Sequence, residues 1–328
     1  MAILVTGGAG YIGSHTVAEL LEKGEEVVVV DNLQTGHRQA VLGGTFYQAD
    51  IRDDEALSKI FKKHEIEAVI HFAANSLVGE SVEKPLAYYD NNVYGSQKLM
   101  ETMIQHGVKK IVFSSTAAVY GEPERVPIDE HDRTNPTNPY GDTKLAMEKM
   151  FRWGDAAYGL KSISLRYFNA AGAHPDGLIG EDHHPETHLI PVILQVPLGK
   201  REFISVFGED YPTEDGTCIR DYIHVMDLAN AHYLALQRLR AKEESGVYNL
   251  GNGQGFSVRQ VIDVARRVTG HPIPDRVSPR RPGDPAVLVA SSERAQEELG
   301  WKPQYADLEK IVDSAWQWFR RHPNGYRG

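Results

Sequence analysis

The chain has 328 residues, with 35 Lys and Arg against 45 Asp and Glu, a net charge of −10, and one cysteine, Cys218. That length suits two lobes rather than one small domain. The surplus of acid argues against nucleic acid or an anionic membrane as the main partner. A single cysteine excludes an intrachain disulfide and suits a reducing compartment. No apolar run is long enough to span a bilayer, and the first residues read as a strand, so a cytoplasmic setting is expected.

In chain order, Val- and Ile-rich runs predict strands at Ile3–Thr6, Val27–Asp31, Ala68–Phe72, Lys110–Ser114 and Ser162–Arg166. Several are apolar throughout, as strands buried on both faces are. Amphipathic stretches alternate with them. Ser14–Lys23 places Val17, Leu20 and Leu21 on one face, Asp54–His64 does the same with Leu57, Ile60 and Phe61, and Tyr88–His106 is longer. Strand alternating with helix predicts an α/β fold with a Rossmann-type, doubly wound parallel sheet. After Asn169 the pattern changes. Residues 170–191 are rich in Gly, His, Pro and acid and read as a loop, and short strands then mix with helices at Val258–Thr269 and Leu308–Arg320. The expected division is a dinucleotide-binding domain over 1–169, with 219–242 returning to it, and a smaller α+β lobe over 170–328. The cleft lies between them at the carboxyl ends of the sheet strands.

The first predicted strand runs into Gly7-Gly8-Ala9-Gly10-Tyr11-Ile12-Gly13, and Asp31 closes the second. Gly7 and Gly8 allow a tight turn, Gly10 lets backbone amides approach a pyrophosphate, and Gly13 lets the helix pack against the strand. The helix N-terminus supplies partial positive charge. A carboxylate at Asp31 accepts hydrogen bonds from ribose hydroxyls and repels a 2′-phosphate, which selects NAD over NADP.

Further on, Tyr140 and Lys144 lie one helical turn apart after Asn138-Pro139. A tyrosine of pKa about 10 must drop by about three units to act as a base near neutrality, which takes about 4 kcal/mol. One cation about 4 Å away contributes about that much at an effective dielectric near 20, so Lys144 together with an oxidised nicotinamide ring would suffice. Ser114, Ser115 and Thr116 stand where a parallel strand ends, and a hydroxyl there can share a proton with Tyr140.

With these segments in place the chain resembles the extended short-chain dehydrogenase/reductase family, and within it the enzymes that epimerise UDP-hexoses at C4′. The likeness runs through Gly7–His15, Val78–Val82, Tyr89–Asn92, Val119–Gly121, Arg166–Asn169, Asp210–Thr217, Arg220–Asp227, Tyr248–Gly251, Pro279–Asp284 and His322–Tyr326. The resemblance implies interconversion of UDP-glucose and UDP-galactose. The hexose is transiently oxidised at C4′ by tightly bound NAD, the 4-keto sugar turns, and it is reduced on its other face. It implies Tyr140 as the base, Thr116 as its hydroxyl partner and Lys144 as orienting cation and ribose ligand, with Tyr140 and Lys144 both also against the cofactor. Also by resemblance, Tyr11, Ile12, Asp31, Asn32, Asp50, Ile51, Phe72, Ala73, Ala74, Asn91, Ser114 and Tyr167 line the cofactor. Asn169, His188, Leu189, Ser205, Phe207, Arg220, Arg281, Asp284 and Leu288 surround the UDP-sugar, and a homodimer is implied. Two permanently charged arginines suit a pyrophosphate in an acidic protein.

Four positions depart from the family pattern. Thr116 replaces a serine and keeps the hydroxyl. Ala74-Asn75-Ser76 lacks a lysine that in relatives reaches the cofactor pyrophosphate. His188 replaces an asparagine. Leu288 replaces a bulky tyrosine, which raises the hypothesis that UDP-N-acetylhexosamines also fit. His183, His184 and His188 stand near Glu181, Asp182 and Glu186, but the spacing matches no recognised ligand pattern and no metal is expected. Two other readings compete. A nucleotide-sugar 4,6-dehydratase needs an acid after the threonine, where Ala117 and Ala118 stand. A non-catalytic NAD sensor would have no use for both Tyr140 and Lys144.

Overall fold

The apolar runs of the first half become neighbours in one parallel sheet. The computed structural model describes residues 1–281 and 284–327; Pro282 and Gly283, inside the Pro279–Asp284 segment, lie outside the described residues. The strands in chain order are β1 (Ala2–Thr6), β2 (Glu26–Asp31), β3 (Thr45–Gln48), β4 (Ile66–His71), β5 (Lys110–Thr116), β6 (Lys161–Tyr167), β7 (Asn169–Ala171), β8 (Ile204–Phe207), β9 (Ile219–His224), β10 (Gly246–Leu250), β11 (Gly255–Ser257), β12 (Asp275–Ser278) and β13 (Val287–Leu288). Seven of them form the large sheet in the order β10-β6-β5-β4-β1-β2-β3, and every pairing in it is parallel. The order reverses between β1 and β4, which opens a crevice at their carboxyl ends.

Helices cover both faces. They are α1 (Tyr11–Glu22), α2 (Asp54–Lys63), α3 (Val78–Glu83), α4 (Pro85–Tyr88), α5 (Gly95–Gln105), α6 (Pro139–Tyr158), α7 (Leu189–Leu194), α8 (Val225–Lys242), α9 (Val258–Thr269), α10 (Glu293–Leu299) and α11 (Leu308–Arg321). Successive strand side chains point to opposite faces. Ile3, Val5, Val27 and Val29 therefore pack with Val17 and Leu20 of α1 and Leu228, Ala235 and Leu239 of α8. Leu4, Val28 and Val30 pack on the other side with Leu57 and Ile60 of α2, Leu99 and Met103 of α5 and Phe151 of α6. Cover on both faces is why β1 is buried along its whole length.

The structure differs from the sequence reading in four places. Helix α1 starts at Tyr11, directly after extended Gly10, rather than at Ser14. The Tyr88–His106 stretch is not one helix: α4 passes through a π-helical turn, Tyr89–Tyr94, before α5. Strands β3 and β10 were not predicted. Strand β3 has no fully buried residue and so lacks the apolar signal. Of the segment expected to return, 219–242, helix α8 packs against the large sheet and β10 beyond it adds a strand there, whereas 219–224 does not join that sheet. Strand β9 instead pairs with β7, β11 and β13 in the second lobe. Residues 170–191 do form mainly loop, yet Ala173, Ile179 and Glu181 are buried within it. Small and apolar side chains there fill the seam below α11, where Trp318 Nε1 donates to the Glu181 carbonyl at 3.2 Å.

Beneath the first turns of α6 lies a buried ion pair. Arg166 of β6 reaches Glu148 of α6 with Nε to Oε1 at 2.9 Å and a terminal nitrogen to Oε2 at 2.6 Å. Its other terminal nitrogen donates to the Tyr120 hydroxyl at 2.9 Å, which donates to Asn249 Oδ1 at 2.7 Å. Ser115 of β5 also donates to Glu148. Removing one member of such a pair leaves the other charge buried and uncompensated. Arg166→Met should cost about 3–5 kcal/mol of stability in urea unfolding. Adding Glu148→Leu should recover most of that loss, and an unshifted midpoint for Arg166→Met would refute the role given to this pair.

Candidate functional site

The glycine loop sits at the reversal between β1 and β4. Gly7 has φ +72°, and a Cβ there would lie 2.5 Å from Ala73 N, so only glycine lets the loop pass under the end of β4. A Cβ at Gly13 would lie 2.1 Å from the Gly7 carbonyl oxygen. Gly10 is different: its Cβ would meet only that oxygen, at 3.4 Å. The protein itself leaves room for a side chain there, which fits a surface kept bare for a ligand at the start of α1. Both backbone amides of Phe72 and Ala73 donate to the Thr6 carbonyl, at 2.9 and 3.2 Å, and pin the end of β4 beside the loop. Ala74 follows, half-buried. Behind them His71 bridges Thr6 Oγ1 at 2.6 Å and Ser96 Oγ at 2.7 Å. Burial, aided by the Lys144 charge, drives its pKa down to about 3, so it stays neutral.

Asp31 ends β2 with one carboxylate oxygen on Ala9 N at 2.9 Å and the other on Leu33 N at 2.8 Å. Burial raises its pKa, against these two amides and His37. Asn32 donates to Asp50 at 3.0 Å. Asp50 is gripped by Arg52 at 2.8 and 2.7 Å, which holds its pKa well below the usual carboxylate range. Ile51 is buried under Gly95 of α5. Ile12 packs on the α1 side of the core. The Tyr11 hydroxyl donates to the Gly172 carbonyl at 2.6 Å, tying α1 to the second lobe.

Helix α6 begins with Asn138 as its cap, accepting from Gly141 N at 2.9 Å, and Pro139 in the first turn. This start places Tyr140 and Lys144 one turn apart against the end of β5. Lys144 Nζ donates to the Ser114 carbonyl at 2.8 Å and lies 4.9 Å from the centre of the Phe113 ring. Burial lowers its pKa to about 7, although Glu148 one turn on pulls it upward. Burial also raises the Tyr140 phenol above its ordinary value, with hydrogen bonding to Thr116 opposing. The lysine thus reaches the strand carbonyl; the lowering of Tyr140 expected from its charge is absent, and burial and the Thr116 hydrogen bond set the phenol. Thr116 Oγ1 accepts from Ala118 N at 3.1 Å. The Ser114 and Tyr167 hydroxyls hydrogen-bond each other.

One residue that sequence reasoning missed joins these two regions. Asn92 accepts from Asn75 N at 2.7 Å and donates to the Asn75 carbonyl at 3.0 Å and to Thr143 Oγ1 of α6 at 3.1 Å. It links the loop after β4, where the family lysine is missing, to the Tyr140 helix. Asn91, beside it, donates to Asn92 Oδ1 at 3.0 Å. Nothing in the Asn91-Asn92 doublet marks which one bridges. His232 of α8, also missed, packs against Phe72 with ring centres 4.6 Å apart.

In the second lobe, the remaining predicted residues stand on or beside two separate sheets and at the start of α7. Arg220 of β9 pairs in register with Leu288 of β13, and its guanidinium contacts Asp284. Asn169 of β7 donates to the Asp221 carbonyl at 3.0 Å. Asp221 was not predicted. Its buried carboxylate accepts from Asn252 N and Ala290 N, and burial raises its pKa to about 6. Ser205 and Phe207 share one face of β8, which pairs with β12. Arg281, just beyond β12, lies over the Phe207 ring at 4.2 Å. Leu288 and Phe168 pack at the edge of a cluster containing Val119, Tyr120, Ile128 and Leu145. Leu189 opens α7, and His188 precedes it with its ring against Glu181. A separate cavity of about 620 Å³ between α9 and the start of α11 contains none of these residues. Among the described residues, no helix is long and apolar enough to cross a membrane.

The NAD dependent epimerase/dehydratase family model matches residues 3–251. The chain is 66% identical over 326 residues to a UDP-glucose 4-epimerase of Halalkalibacterium halodurans, covering 99% of this chain and 98% of that one. A solved UDP-glucose 4-epimerase, 58% identical, superposes with a TM-score of 0.98 over 99% of both chains. The UDP-glucose 4-epimerase of Bifidobacterium longum, solved in complex with NAD+ and UDP, is 43% identical with a TM-score of 0.94, over 99% of this chain and 100% of that one. The bare Gly10 cradle and the acid closing β2 fit NAD. The chain therefore belongs to the NAD dependent epimerase/dehydratase family, among its UDP-glucose 4-epimerases.

Proposed function

We propose that the chain interconverts UDP-glucose and UDP-galactose with Tyr140 as the group that takes and returns the 4′-hydroxyl proton. The observation that carries this reading is the start of α6. It holds Tyr140 by Thr116 and Lys144 on the end of β5, while Asn92 ties the same helix to the loop beside the glycine turn. When bound, NAD supplies the acceptor for oxidation at C4′ and, in its oxidised form, one positive charge. Thr116 passes the proton between sugar and phenol. Lys144 holds the Ser114 backbone and adds charge to the site. The lobe over 170–224 and 251–328 then holds the nucleotide sugar, and 1–169 with 225–250 holds NAD. Arg220 and Arg281 are permanently charged donors for the UDP pyrophosphate. Asp284, now against Arg220, is suited to ribose hydroxyls once that arginine turns to phosphate. Ala117 and Ala118 offer no proton to a leaving hydroxyl, which favours epimerisation over dehydration.

A single buried thiol and the lack of a membrane-spanning helix among the described residues support a cytoplasmic setting. A homodimer is supported by Val82 of α3, Leu86 of α4 and Trp153 of α6, which are 63%, 82% and 67% exposed. Light scattering on the purified chain should give twice the chain mass, and Val82→Lys with Leu86→Lys should halve it. A native chain that scatters as a monomer would end the dimer assignment.

Incubation with UDP-galactose and no added NAD should yield UDP-glucose without net NADH. A keto-deoxy sugar would instead identify a dehydratase, and no product a sensor. Tyr140→Phe should lower kcat by about 10²–10⁴-fold with the fold retained. Thr116→Ala removes one hydrogen bond to a charged group, about 1.5–3 kcal/mol, and should cost less. An equal or larger loss for Thr116→Ala would reverse the two roles.

The half-buried Leu288 also supports a wider sugar pocket than a tyrosine would leave. UDP-N-acetylglucosamine should be turned over, and Leu288→Tyr should suppress that reaction more than the one with UDP-galactose. No turnover of the acetylated sugar at saturation would remove the proposal.

A further inference from the structure

The stretch Glu181–His188 was expected to hold no metal, because its spacing follows no ligand pattern. Folding brings it together regardless. One ligand atom from each of Glu181, His183, Glu186 and His188 lies within 4.8 Å of all the others. His183 Nδ1 stands 3.1 Å from Glu181 Oε1 and 3.8 Å from Glu186 Oε2, and His188 Nδ1 contacts the same Glu181 oxygen. The carboxylates form a floor, with side chains 3% and 8% exposed; the imidazoles form a rim, 28% and 52% exposed. Two carboxylates on one buried floor repel each other unless positive charge stands between them. The half-open rim gives an ion a way in from solvent.

We propose that these four side chains form a site for a divalent transition metal, of which zinc is the best match. Two imidazole nitrogens and two carboxylate oxygens suit zinc, whereas calcium and magnesium take oxygen donors in larger number. Tetrahedral bonds of about 2.0–2.1 Å place ligand atoms about 3.4 Å apart. A pair 4.8 Å apart would close by about 1.4 Å while the tight Glu181–His188 contact opened, adjustments within reach of side-chain torsions at the half-open rim. The ion would do a structural job. His188 immediately precedes α7, and the His183 ring lies edge-on to Tyr11 of α1, 6.1 Å between centres. A metal here would tie the entry of α7 to the seam between the lobes. The site takes no part in the steps assigned to Tyr140; of its four side chains, His188 is also one that the resemblance sets beside the UDP-sugar, so the variants tested are at His183 and Glu186.

The test uses the full untagged chain, stripped with a chelator and dialysed against zinc, magnesium or calcium. Metal content is then measured by plasma mass spectrometry and Tm by scanning calorimetry. One zinc per chain and a raised Tm are expected, with neither other ion retained. Loss of an outer-shell partner alone weakens metal sites by about 10–100-fold, so His183→Gln and Glu186→Gln should each weaken zinc binding by at least that much and abolish the Tm shift. Failure of the native chain to retain zinc would leave only imidazolium–carboxylate pairing and overturn the proposal. So would equal zinc retention by both variants. Turnover of UDP-galactose on the same preparations reads the epimerase assignment separately.

Discussion

The buried pairing of Glu148 with Arg166 is the constraint on which the position of the site depends. It joins α6 to β6, while Ser115 brings β5 into the same contact. A charge pair this deep contributes little net stability over apolar packing, because desolvation offsets most of its attraction. Its value is in geometry. Once Glu148 is committed to Arg166, helical spacing sets Lys144 one turn earlier on the Ser114 carbonyl and Tyr140 one turn before that. The residue proposed as the base is thus placed by a contact two turns away from it.

The cofactor side is arranged by a different kind of constraint, the exclusion of side chains. Gly7 and Gly13 are required by the protein's own backbone, since a Cβ at either would enter Ala73 or Gly7. Among the described residues nothing requires Gly10, and that contrast supports the proposed ligand there. The missing lysine after β4 falls into the same frame. Asn75 is held through its backbone by Asn92, so the loop is anchored there without a cation.

The second lobe works through register rather than through a helix. Pairing of β9 with β13 puts Arg220 beside Leu288, and pairing of β8 with β12 brings Arg281 over Phe207. Register thereby fixes the two cationic groups that the proposed function assigns to the pyrophosphate. The chain leaves this lobe at α8, and β10 then completes the large sheet beside β6. The two lobes are therefore interlaced along the chain and not strung end to end.

Much of this was legible in the residues alone. Strands buried on both faces carry unbroken apolar runs, the glycine turn has a fixed spacing, and Tyr140 and Lys144 show helical periodicity, because each depends on neighbours a few positions away. The prediction for Val258–Thr269 matches α9 at both ends, since a serine cap and a glycine stop are local signals. Strand β3, the bridging Asn92, the addition of β10 to the large sheet, and the meeting of Glu181 with His188 were not legible. Each depends on partners brought near only when the chain closes, and no short-range pattern records a contact whose two halves are set by packing elsewhere. Local chemistry in the sequence determined what the chain can bind and what it can do to it. The tertiary structure decided which residues stand together to do it, because burial, register and close approach are properties of the folded whole.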